Sequence, residues 1–287
     1  MKRSELLPTG GIRKEPTPDR LKGQGVGPPE QYTETGQTVI GHSSITVYYD
    51  NTQGTDLQNF ASQFFHANVV VGPYSDMERF FGIPGDSVNV YIVALGGANN
   101  GMGGASHSAC DFVSGGDLYL DATFACRPPD KPLDLEVALY VAELSECFMG
   151  PQGAGWDCSS SNGEGLSRFC AEQETPVGTL HHFATGPAWA RAGFPDWVNT
   201  TEPTDGNDVS TGCAVVYLYW MRSLGFTNPQ IVQAGGATLS ANYQKLTGRT
   251  TAYQDLLAAL KGKSVTSDNP FFVRPIPINI PPGQQRF

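Results

Sequence analysis

The sequence predicts an α+β protein in which a β/α N-terminal lobe precedes an α-helical C-terminal lobe. Strand-like and helix-like patterns alternate up to about residue 150, and only helical patterns follow. Val88–Leu95 (VNVYIVAL) is a nearly continuous apolar run, which is typical of a buried strand. With 39% hydrophobic and 16% charged residues among 287, the chain can bury a sizeable core.

The other segments of the N-terminal lobe are predicted from composition and from the spacing of apolar residues. They are a strand over 45–49, a helix capped by Asp56 and running to about Phe65, a short helix over 75–81, a glycine-rich loop over 96–116 and a half-covered strand over 117–122.

The helix predicted from Leu133 to about Met149 has the clearest pattern. Pro132 precedes it and Gly150 follows it, which is the expected asymmetry of helix ends. Apolar residues recur along it every three or four positions and predict one buried face. Further helices are expected over 163–173, 211–224, 228–234, 239–246 and 253–260.

Composition also predicts how the chain is divided. Residues 1–40 are rich in proline, glycine and charge and are expected to form an extended arm. The N-terminal lobe covers 41–150, the helical C-terminal lobe covers 151–265, and 266–287 form a second extended tail.

The charge of the chain excludes some partners. Its net charge is −10 with 18 lysines and arginines, which argues against nucleic acid and anionic membranes. No apolar run is long enough to predict a membrane-spanning helix, and no signal peptide is visible. The sequence does not identify the cellular compartment of the protein.

No two of the six cysteines have C-x-x-C spacing, so a structural zinc site is not expected. Three lie within helical patterns and are predicted to be buried free thiols: Cys147, Cys170 and Cys213. Disulfides between Cys110 and Cys126, or between Cys158 and Cys170, stay open if the protein is exported.

Three glutamates are the candidate site. Glu143 and Glu146 are three residues apart, so their carboxylates lie on one face of the predicted helix. Glu164 follows near the start of the next helix. We expect the three carboxylates to converge where the two helices meet, at an acidic cleft between the lobes.

This arrangement resembles the gluzincin branch of zinc metallopeptidases. In that family the first helix carries H-E-x-x-H, which supplies two zinc ligands and a general base. The third ligand is a glutamate in a short Asn-Glu-Gly motif about 20 residues later, and residues 162–167 (NGEGLS) are similar to it. The resemblance, which covers roughly residues 44–262, implies a zincin-like fold with a mixed sheet in the N-terminal lobe.

The sequence departs from the family at the zinc ligands. Ala142 and Glu146 stand where the resemblance implies histidines, while Glu143 and Glu164 keep the base and third-ligand residue types. Zinc is therefore disfavoured, and no cofactor is predicted. An all-carboxylate site would suit Ca²⁺ or Mg²⁺ better.

Other residues could modify this site. His107 or the pair His181-His182 could replace a lost ligand, although a structural or solvated role is expected for them. Glu164 could instead be a helix-start carboxylate behind an Asn162 N-cap, and Arg168 could pair with it.

Three functions remain open from the sequence. The chain could be a catalytically degenerate metallopeptidase-like protein whose acidic cleft has a binding or structural role. It could be an active hydrolase that uses Glu143, Glu146 and Glu164 with a hard divalent metal or with none. It could also be an assembly protein that contacts a protein partner through its terminal arms.

Overall fold

The computed structural model describes residues 30–66, 69–93, 104–122, 132–204 and 206–274. Within these ranges the chain forms a five-stranded mixed sheet and ten α-helices, so the predicted α+β class is confirmed. The strands are β1 (Tyr32–Ile40), β2 (Ser43–Asp50), β3 (Val88–Val93), β4 (Ala105–Ser106) and β5 (Asp117–Asp121).

The strands lie in the order β1-β2-β3-β5-β4. The central strands β2, β3 and β5 are parallel, and the edge strands β1 and β4 pair antiparallel with their neighbours. Val47, Val90 and Leu118 occupy neighbouring register positions and face the main core. Successive residues of a strand point to opposite faces, so the next residue of each strand lies on the other side of the sheet.

That other side carries a row of tyrosines. Tyr48, Tyr91 and Tyr119 lie in register, and their rings stack with centroid distances of 5.0 and 4.8 Å. Tyr32 from β1 meets Tyr91 edge-on at 4.9 Å. Because this stack covers β5, Tyr119 is only 7% exposed, and the prediction of a half-covered strand is wrong.

The helices surround the main core with apolar faces. α1, for example, buries residues at the i, i+3, i+4 and i+7 positions of one stripe. No helix in the described part of the chain has both the length and the hydrophobicity needed to cross a membrane. The helices are α1 (Thr55–His66), α2 (Val71–Phe81), α3 (Phe112–Gly115), α4 (Pro132–Gln152), α5 (Ser161–Glu174), α6 (Gly186–Arg191), α7 (Asp208–Ser223), α8 (Asn228–Ala234), α9 (Leu239–Thr247) and α10 (Ala252–Leu260).

α5 packs against both α4 and α7. Almost every residue of α5 is buried, so this helix forms the centre of the molecule. α4 is longer than predicted, because it continues through Gly150 and Pro151 to Gln152. The predicted lobe boundary at residue 150 therefore falls inside a helix.

Parts of both predicted terminal arms belong to the folded chain. Residues 32–40, assigned to the N-terminal arm, form β1 and belong to the sheet. At the other end, Asp268 lies within the predicted tail but is only 3% exposed, and it accepts a hydrogen bond from the Gly186 N–H. The rest of both predicted arms, 1–29 and 275–287, lies outside the described residues.

Candidate functional site

The segment between β4 and β5 places His107 beside the C-terminal half of α4. The Gly150 N–H donates to the Cys110 carbonyl at 2.8 Å, and the Cys147 thiol donates to the Gly115 carbonyl at 3.2 Å. A Cβ atom at Gly150 would overlap the Cys110 carbonyl, and one at Gly115 would overlap the backbone of the segment itself. The two glycines thus let the segment lie directly on the helix.

His107 and Glu146 form a buried pair. Nε2 of His107 lies 2.7 Å from Oε2 of Glu146, with side-chain exposures of 1% and 4%. The same nitrogen lies 3.9 Å from Oε2 of Glu143, which is one turn earlier on α4 and fully buried. Of the two roles expected for His107, structural or solvated, the structure shows a buried structural contact.

A disulfide covers this pair. It joins Cys110, in the β4–β5 segment, to Cys158, in the loop between α4 and α5, with Cα atoms 5.7 Å apart. Neither pairing left open by the sequence is observed, and Cys126 lies outside the described residues. The partners are 48 residues apart and meet only because the segment crosses α4.

The three cysteines predicted to be free and buried are confirmed. Burial raises the pKa of the thiols of Cys147, Cys170 and Cys213 above the ordinary cysteine value. These thiols are therefore poor nucleophiles and metal ligands at neutral pH.

Glu164 lies in the first turn of α5 and pairs with Arg168. The N-cap is Ser160 and the helix begins at Ser161, so Asn162 is inside the helix and its predicted N-cap role is wrong. Nε of Arg168 donates to Oε1 of Glu164 at 3.0 Å, as their four-residue spacing predicts. The Glu164 side chain has no exposed surface.

Further carboxylates surround Arg168. Burial opposes its charge, but Glu164, Asp268 and Asp208 outweigh that effect, so the pKa of Arg168 lies above its ordinary value. Burial and the neighbouring Asp268 raise the pKa of Glu172 well above its usual range. The Glu172 and Asp268 carboxyl groups are hydrogen-bonded to each other, and Oε2 of Glu172 accepts from the Tyr219 hydroxyl at 2.5 Å.

The glycines around Glu164 have packing roles. A Cβ atom at Gly163 would overlap the Asp157 carbonyl, and one at Gly165 would overlap Ala214 of α7. The close approach of α5 to α7 therefore requires glycine at residue 165. The similarity of this motif to a metal-ligand motif has a sufficient explanation in helix packing.

Glu136 is a buried acid that was not predicted from the sequence. Glu136 lies two turns before Glu143 on α4 and is 2% exposed, and its Oε1 has no hydrogen-bond partner among the residues that the structure describes. Burial and the nearby Asp121 raise the pKa of Glu136 to about 8. Its seven-residue spacing from Glu143 was the available signal, because seven residues return a helix to the same face.

The three predicted site residues are divided between two clusters. Glu143 and Glu146 lie with His107, whereas Glu164 lies with Arg168. Among the described residues, these three carboxylates do not form a set of donor atoms within 4.8 Å of one another. With Ala142 at one ligand position and Glu146 and Glu164 held by internal contacts, the positions implied by the resemblance do not fit a zinc ion.

The described part of the other histidine pair contributes no donor to this site. His181 begins a short 3-10 turn, His181–Phe183, whose Phe183 carbonyl accepts from Nη1 of Arg168 at 3.0 Å.

No protein-family model matches the chain, and no curated protein sequence matches it.

Proposed function

We propose that this chain is a zincin-like protein without peptidase chemistry, in which the glutamates at the family's catalytic positions hold the core together. The observation that carries this proposal is the 2.7 Å contact between His107 and Glu146. Glu146 stands where the resemblance implies a zinc ligand, and its carboxylate is engaged by the protein's own imidazole. The role of the chain is then binding or structural.

The burial of Glu143 supports the same conclusion against an active hydrolase. A general base must reach the proton that it removes, directly or through one water. The Glu143 side chain has no exposed surface, and the Glu164 side chain has none either. Neither side chain presents surface to a substrate within the described residues, which favours the proposal over an active hydrolase.

The decisive experiment restores the histidines that the family would have. The double variant Ala142→His, Glu146→His recreates H-E-x-x-H on α4, and Glu164 would have to leave Arg168 to act as the third ligand. We expect the oxidised wild type to carry no stoichiometric zinc and to cleave no peptide library, and the double variant to gain zinc. Zinc content is measured by atomic absorption after dialysis.

A matched control separates this geometry from a generic pair of histidines. Ala138→His, Ala142→His places two histidines at the same spacing one turn earlier on α4. Equal zinc binding by the control would refute the zincin-like geometry. Stoichiometric zinc in the oxidised wild type, or peptide cleavage by it, would refute the loss of peptidase chemistry.

An interaction role is the second candidate, and the tyrosine row favours it. Tyr32 and Tyr48 are only half-buried on the face of the sheet opposite the main core, and tyrosine is enriched in protein interfaces. We expect Tyr48→Arg to reduce the particle mass if this face joins copies of the chain. Light scattering measures that mass, and a monomeric wild type would exclude self-association.

The predicted N-terminal arm is tested in the same way. A deletion should stop at residue 29, because removing 30–40 would also remove β1 from the sheet. Unchanged mass in the 1–29 deletion would argue against assembly through this arm.

A further inference from the structure

Donor atoms of three kinds meet at the disulfide. His107, Glu146 and Cys158 each offer one ligand atom, and these atoms all lie within 4.8 Å of one another. All three residues are buried. In the disulfide form the Cys158 sulfur is bonded to Cys110 and cannot act as a thiolate ligand.

We propose that reduction of the Cys110–Cys158 disulfide creates a zinc-type metal site formed by Cys158, His107 and Glu146. This site differs from the one implied by the family resemblance, because it uses neither residue 142 nor Glu164. The inference goes beyond the proposed function, since a peptidase-inactive chain can still bind a metal here.

The chemical step is a thiol–disulfide exchange. A dithiol reductant attacks Sγ of Cys110 and breaks its bond to Cys158, and its second thiol then releases Cys110. The reductant leaves as a disulfide, and the protein gains two thiols. The metal ion next replaces the Cys158 thiol proton and the hydrogen bond shared by His107 and Glu146.

The donor set fits zinc. Thiolate, imidazole and carboxylate are its usual protein ligands, and three protein ligands leave one position of a tetrahedral ion for water. The spacing is also suitable, because atoms within 4.8 Å can close around one ion with small side-chain movements.

Exposure supplies an entry path. Cys110 is partly exposed and Asp157 is exposed, and together with Cys158 they form a second set of donors within 4.8 Å. Sγ of Cys110 lies 3.9 Å from Oδ1 of Asp157. A reductant and a metal ion can therefore approach from the Asp157 side. His107 and Glu146 are the buried ligands of the site.

Cobalt(II) is the probe, because cobalt bound to thiolate gives a charge-transfer absorption band in the near ultraviolet. The full chain is titrated with cobalt before and after reduction by a phosphine. We expect this band, at one cobalt per chain, only after reduction. Zinc should then remove the band by competition. A reduced wild type without the band overturns the proposal.

Three variants test the assignment. Cys110→Ser leaves the Cys158 thiol free, so it should give the band without reductant. Cys158→Ser should abolish it, although both variants lose the same disulfide. Cys170→Ser changes a buried thiol elsewhere and should behave like the wild type.

Circular dichroism of each variant checks folding. Retention of the band in Cys158→Ser, or its absence in a folded Cys110→Ser, overturns the proposal. Neither result bears on peptidase activity, so the proposed function is judged separately by the histidine-restoration experiment.

Discussion

Nε2 of His107 and Oε2 of Glu146 lie 2.7 Å apart, although the two residues are 39 positions apart in the chain. The contact fastens the β4–β5 segment to α4 from within the core. Because both side chains are buried, neither can exchange its partner for water without a large penalty.

We expect Glu146→Leu to lower the free energy of unfolding by about 3 kcal/mol, because His107 keeps a buried polar nitrogen without its acceptor. Urea denaturation measures the loss. The control is Asp76→Asn, which breaks the Arg79–Asp76 ion pair, whose arginine is 61% exposed. Its loss should be below about 1 kcal/mol. Equal losses in the two variants would show that the buried contact contributes no more to the free energy of unfolding than the exposed ion pair.

Arg168→Met should destabilise the protein more at neutral than at acidic pH. The guanidinium neutralises Glu164, Asp208 and Asp268, and without it these neighbouring negative charges repel. As pH falls, these carboxylates take up protons and the loss should shrink. Unfolding curves over a pH series measure this, with the exposed Arg249→Met as control. A loss that does not vary with pH would contradict the electrostatic role.

The raised pKa of Glu136 should make the free energy of unfolding fall as pH rises. Its folded pKa of about 8 lies above the unfolded value of 4.5, so folding favours the protonated form. The resulting stabilisation is full below about pH 4.5 and is lost as pH rises through about 8.

We therefore expect Glu136→Gln to gain stability relative to wild type between about pH 5 and pH 9. The gain is on the order of a few kcal/mol, since one pKa unit corresponds to about 1.4 kcal/mol. The exposed Asp56→Asn serves as control and should show no such trend. Parallel pH profiles for wild type and Glu136→Gln would refute the elevated pKa.

Gly165→Ala should separate α5 from α7, because its added methyl group overlaps Ala214. We expect a loss of about 1–3 kcal/mol, as is usual for overpacking. Adding Ala214→Gly removes the obstructing methyl group and should recover part of the loss in a double-mutant cycle. Gly178→Ala, at an open position, is a weaker control because its positive φ adds its own strain. Additive losses in the cycle would contradict direct contact.

The local parts of the fold were predictable from the sequence. Val88–Val93 forms a buried strand because its run is apolar, and α8 begins and ends where predicted because Thr227 forms a capping box and Gly235 ends the helix. β1 was missed because its residues, 32–40, alternate weakly and sit in the sheet only through pairing with β2.

The site was predictable to the extent that it depends on helix periodicity. The shared face of Glu143 and Glu146 and the pairing of Glu164 with Arg168 follow from spacing alone. The positions of His107 and of the Cys110–Cys158 disulfide could not be predicted, because they depend on a segment crossing α4. The division of the carboxylates into two clusters could not be predicted either, because His107, which pairs with Glu146, lies on the segment that crosses α4.

The edges of the sheet bear on how the protein avoids aggregation. A long, flat edge strand offers free backbone groups to another chain, and short or bulged edges prevent this. The described part of β4 has two residues, and β1 has a register shift between Glu34 and Gly36. Gly36 also lets the Phe65 ring lie against the strand at this point. An irregularity of this kind interrupts the regular row of backbone donors and acceptors, so this edge is a poorer template for another strand.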